Sequence, residues 1–258
     1  MTFDGHRARR TSGYVGIIGV VVFVCGVIML HMVQPGLDPR DEGGQLLVGG
    51  VRGDAGKAAA MQGEGVNPWF AKAIILASSI LMVIIRAPHG QRSRGVRVVR
   101  SKRGTLEIAL LSLAWLSFFI PLIWVAAPIL AFADYPLRPA PLFAGVVSLT
   151  VGLWLFARSH ADLGTNWSIT LEVREKHQLV TQGVYRHIRH PMYSALLIYS
   201  IGQALVLPNW IAGPSYGVAM VLLVALRLAR EERMMLDEFG SDYDAYMRRT
   251  KRLVPGVW

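Results

Sequence analysis

The residues best suited to chemistry lie in one polar stretch of the chain, residues 177–193. This stretch contains three histidines, two tyrosines and two arginines, and the candidates among them are His177, Tyr185, His187, Arg189, His190 and Tyr193. The side chains of all three residue types form hydrogen bonds with anions and polar ligands. A connector between two helices is usually only a few residues long. A polar segment of this size therefore predicts a binding site, and the alternative it leaves open is a solvated basic loop touching lipid head groups.

Two of these side chains should lie at the beginning of a helix. Proline disfavours helical backbone in the residue before it, so His190 is expected to be extended. Pro191 fits the first turn of the following helix, where its missing N–H has no partner to lose. Helix N-termini favour anions, so Arg189 and His190 predict a site for a carboxylate or phosphate, with Tyr193 in the first turn. No metal site is expected, because no acidic pair at ligand spacing accompanies the histidines and the one cysteine of the sequence, Cys25, is distant from them in sequence.

A second charged cluster follows the last apolar run of the sequence. Arg227 and Glu231 are four residues apart, which makes them neighbours on one helix face. Glu232 lies about 140° further round the helix from Arg227, so one carboxylate can pair on the surface while the other faces inward. Ionisable groups at the end of an apolar helix are costly unless they are partnered or functional. The pattern is compatible with a charge network that ends the span or with part of a site.

Six apolar segments must position these clusters. Hydrophobic residues make up 53% of the 258 residues, and a bilayer crossing needs about 20 mostly apolar residues. The two last segments have 16 residues each and cover about 24 Å, so we expect a short helical hairpin. The fold class predicted is an all-α polytopic membrane protein with about six transmembrane segments: residues 14–33, 68–85, 106–132, 141–157, 192–207 and 211–226.

The basic residues predict the orientation of these spans. Of the 27 Lys and Arg residues, 22 lie in the N-terminal tail, in residues 86–103, in residues 158–189 and in the tail from Arg227 onward. This asymmetry places the N and C termini and the polar segment in the cytoplasm. Basic residues that flank apolar runs indicate topology and contact with anionic lipids, so no nucleic-acid partner is expected in spite of the net charge of +10.

The Gly-rich loop 34–67 is expected outside, as a flexible connector. Its Gly56-Lys57 pair is no phosphate loop, because Val51 and Ala58 stand where that motif needs Gly and Ser or Thr. We divide the chain into residues 1–105, a pair of spans with this loop and a basic cytoplasmic loop, and residues 106–258, which contain the chemistry.

Three motifs resemble the isoprenylcysteine carboxyl methyltransferase family. They are Leu179-Val-Thr-Gln-Gly183-Val-Tyr185-x-x-x-Arg189-His190-Pro191-x-Tyr193, the spaced Arg227…Glu231-Glu232…Phe239-Gly240-x-x-Tyr243-x-x-Tyr246, and the upstream Leu163-Gly164-x-Asn166-Trp167-Ser168, which is similar to bacterial members. The resemblance covers about residues 140–255. It implies transfer of a methyl group from S-adenosylmethionine to a lipophilic or membrane-accessible acceptor, in a bacterial inner or plasma membrane, with the site facing the cytoplasm.

The resemblance also implies roles for individual residues. Arg227 matches a residue that holds the acceptor and Glu232 a carboxylate bordering the pocket, and we predict these two as catalytic. The cofactor carries a carboxylate, which suits Arg189 and His190, and an ammonium and a sulfonium, which suit Glu231 or Glu232. The cofactor-binding set is therefore His177, Leu179, Val180, Gly183, Tyr185, Arg189, His190, Tyr193 and Glu231.

The nature of the acceptor stays open at this point. Methyl transfer is an in-line displacement at carbon, which needs positioning more than an acid–base pair. An acceptor carboxylate would suit a bidentate contact with Arg227, whereas a thiol or amine would need a base such as Glu232. Two other classes of protein also remain: an NADPH-dependent reductase of sterol-like lipids, and a membrane module without enzymatic activity. Oligomeric state is unknown.

Overall fold

The computed structural model describes residues 66–94, 98–101, 104–164, 172–174 and 178–256. The predicted first span 14–33, with Cys25, and nearly all of the loop 34–67 lie outside these residues. The described residues form five α-helices: α1 (Pro68–Arg94), α2 (Thr105–Ala126), α3 (Pro139–Leu163), α4 (Pro191–Val206) and α5 (Ala212–Arg249). Short 3₁₀ helices occupy Pro128–Ala133 and Gly183–Arg186, and two strands, β1 (Val98–Ser101) and β2 (Glu172–Arg174), complete the set.

Four of these helices are long and apolar enough to cross a membrane, namely α1, α2, α3 and α5. They contain the predicted segments 68–85 and 141–157, all of 211–226 except Ile211, and most of 106–132. The segment 192–207 corresponds to the 16-residue helix α4. The prediction of a helical membrane protein is thus confirmed for the described part of the chain, while the total of six spans stays a prediction.

The predicted segment 106–132, for which the sequence allows a tilt or a kink at Pro121 and Pro128, is broken at the second of these prolines. Pro128 lacks an N–H and forces the preceding Ala127 into extended backbone. The described residues also include two short strands outside the helices. Strands β1 and β2 pair antiparallel, with Ser101 opposite Glu172, and so join the loop after α1 to the segment before residue 178.

Helix α5 continues well beyond the predicted span. It has 38 residues, which corresponds to about 57 Å against a hydrocarbon core of about 30 Å. Its C-terminal half must therefore project from the bilayer, and it carries the acidic cluster and the Tyr243 and Tyr246 side chains with it. A break at Gly240, where φ is +50°, redirects the last turns of the helix.

The hairpin between α4 and α5 is held by buried amides. Asn209 is completely buried, and its side-chain oxygen accepts hydrogen bonds from the backbone of Ile211 at 3.0 Å and Ala212 at 2.7 Å. Its amide nitrogen donates to Asp134 and to the carbonyl of Leu130. Asn209 therefore caps the start of α5 and fixes the hairpin to the connection between α2 and α3.

Glycines let α3 and α4 pack backbone to backbone. A Cβ added at Gly152 of α3 would lie 2.8 Å from the backbone nitrogen of Tyr199, and one at Gly202 of α4 would lie 2.7 Å from that of Leu149. Small residues at helix contacts allow this close approach in membranes. The N-terminus of α4, which carries His190, is therefore held in a fixed position against α3.

We expect Gly152→Ala to destabilise the protein by about 1–3 kcal/mol, because the new methyl group would meet backbone atoms that cannot move aside. The measurement is thermal unfolding in detergent. Gly104→Ala is the matched control, since a Cβ there meets nothing within 4 Å. Equal melting temperatures for the two variants would contradict the close packing of α3 on α4.

Candidate active site

The chain's C-terminal tail fixes the N-terminus of α4. The backbone N–H of Arg189 donates to the carbonyl of Lys251 at 2.8 Å, and that of His190 donates to the carbonyl of Arg252 at 3.0 Å. His190 has φ −123° and ψ 58°, and Pro191 begins the helix. The helix start predicted at Pro191 is present. His190 is outside the helix, but its ψ of 58° is not that of extended backbone, so the predicted extended conformation is wrong. The tail therefore fixes the backbone of Arg189 and His190 at the start of α4, and we call this place the corner.

A buried ion-pair cluster lies directly beneath this corner. Glu232 is 3% exposed, and its two oxygens accept hydrogen bonds from Arg189 at 2.8 Å and Arg252 at 2.9 Å. His190 Nε2 is 3.4 Å from the same carboxylate. Arg189 also donates to the carbonyls of Met247 and Thr250. Glu232 thus joins α5, the start of α4 and the tail by charge-assisted hydrogen bonds.

The carboxylate of Glu231, the residue before Glu232, points away from this ion-pair cluster and toward a cavity. Tyr193 Oη donates to Glu231 Oε2 at 2.6 Å, and Arg227 Nε lies 3.6 Å from the same oxygen. His190 Nδ1 is 3.8 Å from the other oxygen. The predicted pairing of Arg227 with Glu231 along α5 is confirmed. Glu231, not Glu232, is the carboxylate that lines the cavity described below.

A further acidic residue approaches this cluster from α2. Glu107 is 5% exposed, and its Oε1 lies 3.8 Å from Arg227 Nη2. This residue is not among the candidates that the sequence motifs and spacings identify. A signal was nevertheless present, because an acidic residue in the first turn of a strongly apolar helix is costly unless a partner compensates it.

Side chains from this charged cluster and from the surrounding helices line a cavity of about 280 Å³. Its polar end contains Arg189, His190, Tyr193, Arg227 and Glu231. The predicted cofactor residues Leu179, Val180 and Tyr185 also line it, whereas Gly183 does not appear in its wall and His177 lies outside the described residues. The remaining wall is mostly apolar and comes from the helices, with Met82, Val83, Leu111, Trp115, Phe118 and Met220 among its members.

Gly183 shapes the segment that carries Tyr185. Its φ is +62°, and a Cβ there would lie 2.1 Å from Asp162 Oδ2, which itself accepts a hydrogen bond from the Val184 N–H at 2.9 Å. Only glycine fits this combination of backbone and space. The resulting turn buries Tyr185 against the cavity.

Tyr185 is held as a neutral phenol. Burial raises the pKa of Tyr185 well above its ordinary value, and the nearby Glu231 carboxylate raises this pKa further. The Tyr246 hydroxyl donates to the Tyr185 carbonyl at 2.5 Å, so the tail of α5 also fixes this segment. Tyr185 therefore offers the cavity an aromatic surface without a charge at neutral pH.

The comparisons with known proteins agree with the motifs. Residues 144–237 match the model of the isoprenylcysteine carboxyl methyltransferase (ICMT) family. Protein-S-isoprenylcysteine O-methyltransferase B of Arabidopsis thaliana is 33% identical over 115 residues, covering 44% of this chain and 58% of the relative. A probable protein-S-isoprenylcysteine O-methyltransferase of Oryza sativa subsp. indica is 24% identical over 191 residues, covering 73% and 95%.

A solved structure of the eukaryotic intramembrane Ras methyltransferase ICMT is similar at 22% identity and a TM-score of 0.46, over 74% of this chain and 67% of that one. The resemblance drawn from the motifs is confirmed over residues 144–237. The chain spans 58% of the length of the Arabidopsis relative. With four helices able to span a membrane among the described residues, the chain is an integral membrane protein.

We expect Glu232→Gln to lower the stability of the protein by about 3 kcal/mol, because it leaves two arginines around a neutral group. Thermal unfolding in detergent measures the loss. Glu238→Gln is the control, since Glu238 lies on the same helix and is exposed. An unchanged melting temperature for Glu232→Gln would show that the buried ion pairs do not hold this corner together.

Proposed function

We propose that this chain, whose residues 144–237 match the ICMT family, is a membrane methyltransferase that uses S-adenosylmethionine to methylate a lipophilic acceptor. The observation that carries the proposal is the cavity. It joins a charged end, built at the start of α4 and the middle of α5, to a wall of apolar side chains from helices that can span a membrane. A charged methyl donor and a lipid-like acceptor need these two environments in contact.

The polar end of the cavity fits the cofactor. Glu231 supplies a negative charge, which suits a ligand with an ammonium and a sulfonium group. Arg189 and His190 line the same end, and His190 precedes the N-terminus of α4, which favours a carboxylate. Leu179, Val180 and Tyr185 supply apolar and aromatic surface for the uncharged part of such a molecule. When bound, S-adenosylmethionine supplies the electrophilic methyl group.

The acceptor is proposed to enter along the apolar wall. Trp115 and Phe118 of α2 and Met82 of α1 give this wall the character of a binding surface for a hydrocarbon chain. The curated relatives are named as O-methyltransferases of protein S-isoprenylcysteine. A carboxylate attached to a prenyl-like chain is therefore the acceptor class that we propose for this chain.

Within this proposal each side chain has a physical task. Arg227 lines the cavity and would orient the acceptor carboxylate. Tyr193 fixes the direction of the Glu231 carboxylate through its hydrogen bond. Fixed side chains around the cavity favour an in-line displacement between pre-positioned groups. No side chain has to remove a proton when the acceptor is already a carboxylate.

Glu232 has a different task from the one the resemblance implied. Its oxygens are both engaged by arginines, so we propose that it positions Arg189 and His190 rather than touching either substrate. The distribution of basic residues along the sequence supports a cytoplasmic position for this end of the cavity.

We expect the purified protein to bind S-adenosylhomocysteine and not NADPH, as measured by isothermal titration calorimetry. Glu231→Gln should weaken this binding by about tenfold or more, since it removes a charge-assisted contact worth at least about 1.4 kcal/mol. Glu238→Gln should bind like the wild type. Binding of NADPH instead would favour a reductase, and binding of neither compound would favour a module without enzymatic activity.

We expect Arg227→Lys to lower methyl transfer to N-acetyl-S-farnesylcysteine by about tenfold or more, because a lysine ammonium cannot make the bidentate contact of a guanidinium. Transfer is followed with methyl-labelled S-adenosylmethionine. The affinity for S-adenosylhomocysteine should change little. A loss of cofactor affinity of the same size would place Arg227 on the donor and not on the acceptor.

A further inference from the structure

We propose that Glu107 is a positioning residue for Arg227 and thereby sets the affinity for the methyl acceptor. This inference rests on the proposed function. Glu107 lies on α2, outside residues 144–237 that match the family model. The family match therefore gives no role to this residue, and the assignment comes from the geometry alone.

The geometry places Arg227 between two carboxylates from different helices. Glu107 Oε1 lies 3.8 Å from Arg227 Nη2, and Glu231 Oε2 lies 3.6 Å from Arg227 Nε. The two contacts involve different nitrogens of one guanidinium. Arg227 and Glu107 are 7% and 5% exposed, so solvent screens their attraction only weakly.

Two anchors are needed because an arginine side chain is long and flexible. Glu231 is on the same helix and is itself fixed by Tyr193, so it holds one edge of the guanidinium. A single contact leaves the plane of the group able to rotate about that edge. Glu107 approaches from α2 and fixes the second direction. Since Arg227 lines the cavity, the orientation set by the two carboxylates is the one that an acceptor meets.

The position of Glu107 on α2 connects this charge to the acceptor wall. Leu111, Trp115 and Phe118 follow Glu107 at spacings of four, eight and eleven residues, which keeps them on one face of a helix. All three line the apolar part of the cavity. One face of α2 therefore carries both the surface proposed for the hydrocarbon chain and the carboxylate that orients Arg227. Helix α2 therefore holds the surface for the acceptor's hydrocarbon chain at a fixed spacing from the carboxylate that orients Arg227, the residue that would contact the acceptor's charged end.

The first test is Glu107→Gln, measured with N-acetyl-S-farnesylcysteine as the acceptor. The Michaelis constant for this acceptor should rise about tenfold, equivalent to about 1.4 kcal/mol, with little change in kcat or in the affinity for S-adenosylhomocysteine. Glu107→Asp, which keeps the charge, should restore part of the loss. Ser117→Ala is the control, because Ser117 is a buried polar residue of α2 that donates only within its own helix, to Ala114.

A double-mutant cycle separates positioning from a general structural effect. In an Arg227→Lys background, Glu107→Gln should raise the Michaelis constant much less than it does in the wild type, because the guanidinium that Glu107 orients is absent. Additive effects, an unchanged Michaelis constant for Glu107→Gln, or an equal rise for Ser117→Ala would each overturn the inference.

The proposed function fails separately from this inference. If the wild type does not bind S-adenosylhomocysteine, or binds it without methylating the probe, the proposed activity is at fault. The coupling of Glu107 to Arg227 is then read from the melting temperatures of the same four proteins. Non-additive melting temperatures support the positioning contact, and additive ones overturn it.

Discussion

The described part of this molecule depends on the compensation of one buried negative charge. An isolated carboxylate with 3% exposure is very costly, so Glu232 can stay ionised only where cations surround it. Arg189 and Arg252 provide them, and they come from opposite sides of the long C-terminal helix in sequence. Satisfying this charge therefore requires the start of α4, the body of α5 and the tail to meet at one point. Backbone hydrogen bonds from Arg189 and His190 to the tail lie at the same point.

The site follows from the rotation of an α-helix by about 100° per residue. Glu231 and Glu232 are adjacent in sequence, yet one lines the cavity beside Arg227 and the other points into the buried corner. The buried ion-pair cluster and the cavity wall thus each contain one of two adjacent residues of α5. Any shift of α5 that disturbs the corner also moves Glu231 and Arg227, because the three side chains share a rigid backbone.

The sequence was sufficient for the features that depend on local rules. The apolar runs predict the helices, Pro191 predicts the start of α4, and the four-residue spacing predicts the contact of Arg227 with Glu231. The orientation of Glu232 could not be read in this way, because it depends on Arg252, which returns to the site only through the fold of the tail. The same holds for Glu107, whose partner is 120 residues further along the chain, and for the pairing of β1 with β2. His177 lies outside the described residues, so its predicted role stays a prediction.

The division of labour between the two halves of the cavity has a consequence for specificity. The charged end comes mostly from α4, α5 and the segment before them, within or next to the residues that match the family model. The wall contributed by Met82, Val83, Leu111, Trp115 and Phe118 comes from α1 and α2, which precede that match. A charged methyl donor is the same molecule for every such enzyme, so its end of the cavity can be shared between relatives. Under the proposed function, the helices in contact with the acceptor are α1 and α2, which precede residues 144–237. Glu107 belongs to α2 and reaches Arg227 within the matched part, so a change of acceptor would have to preserve or replace this contact.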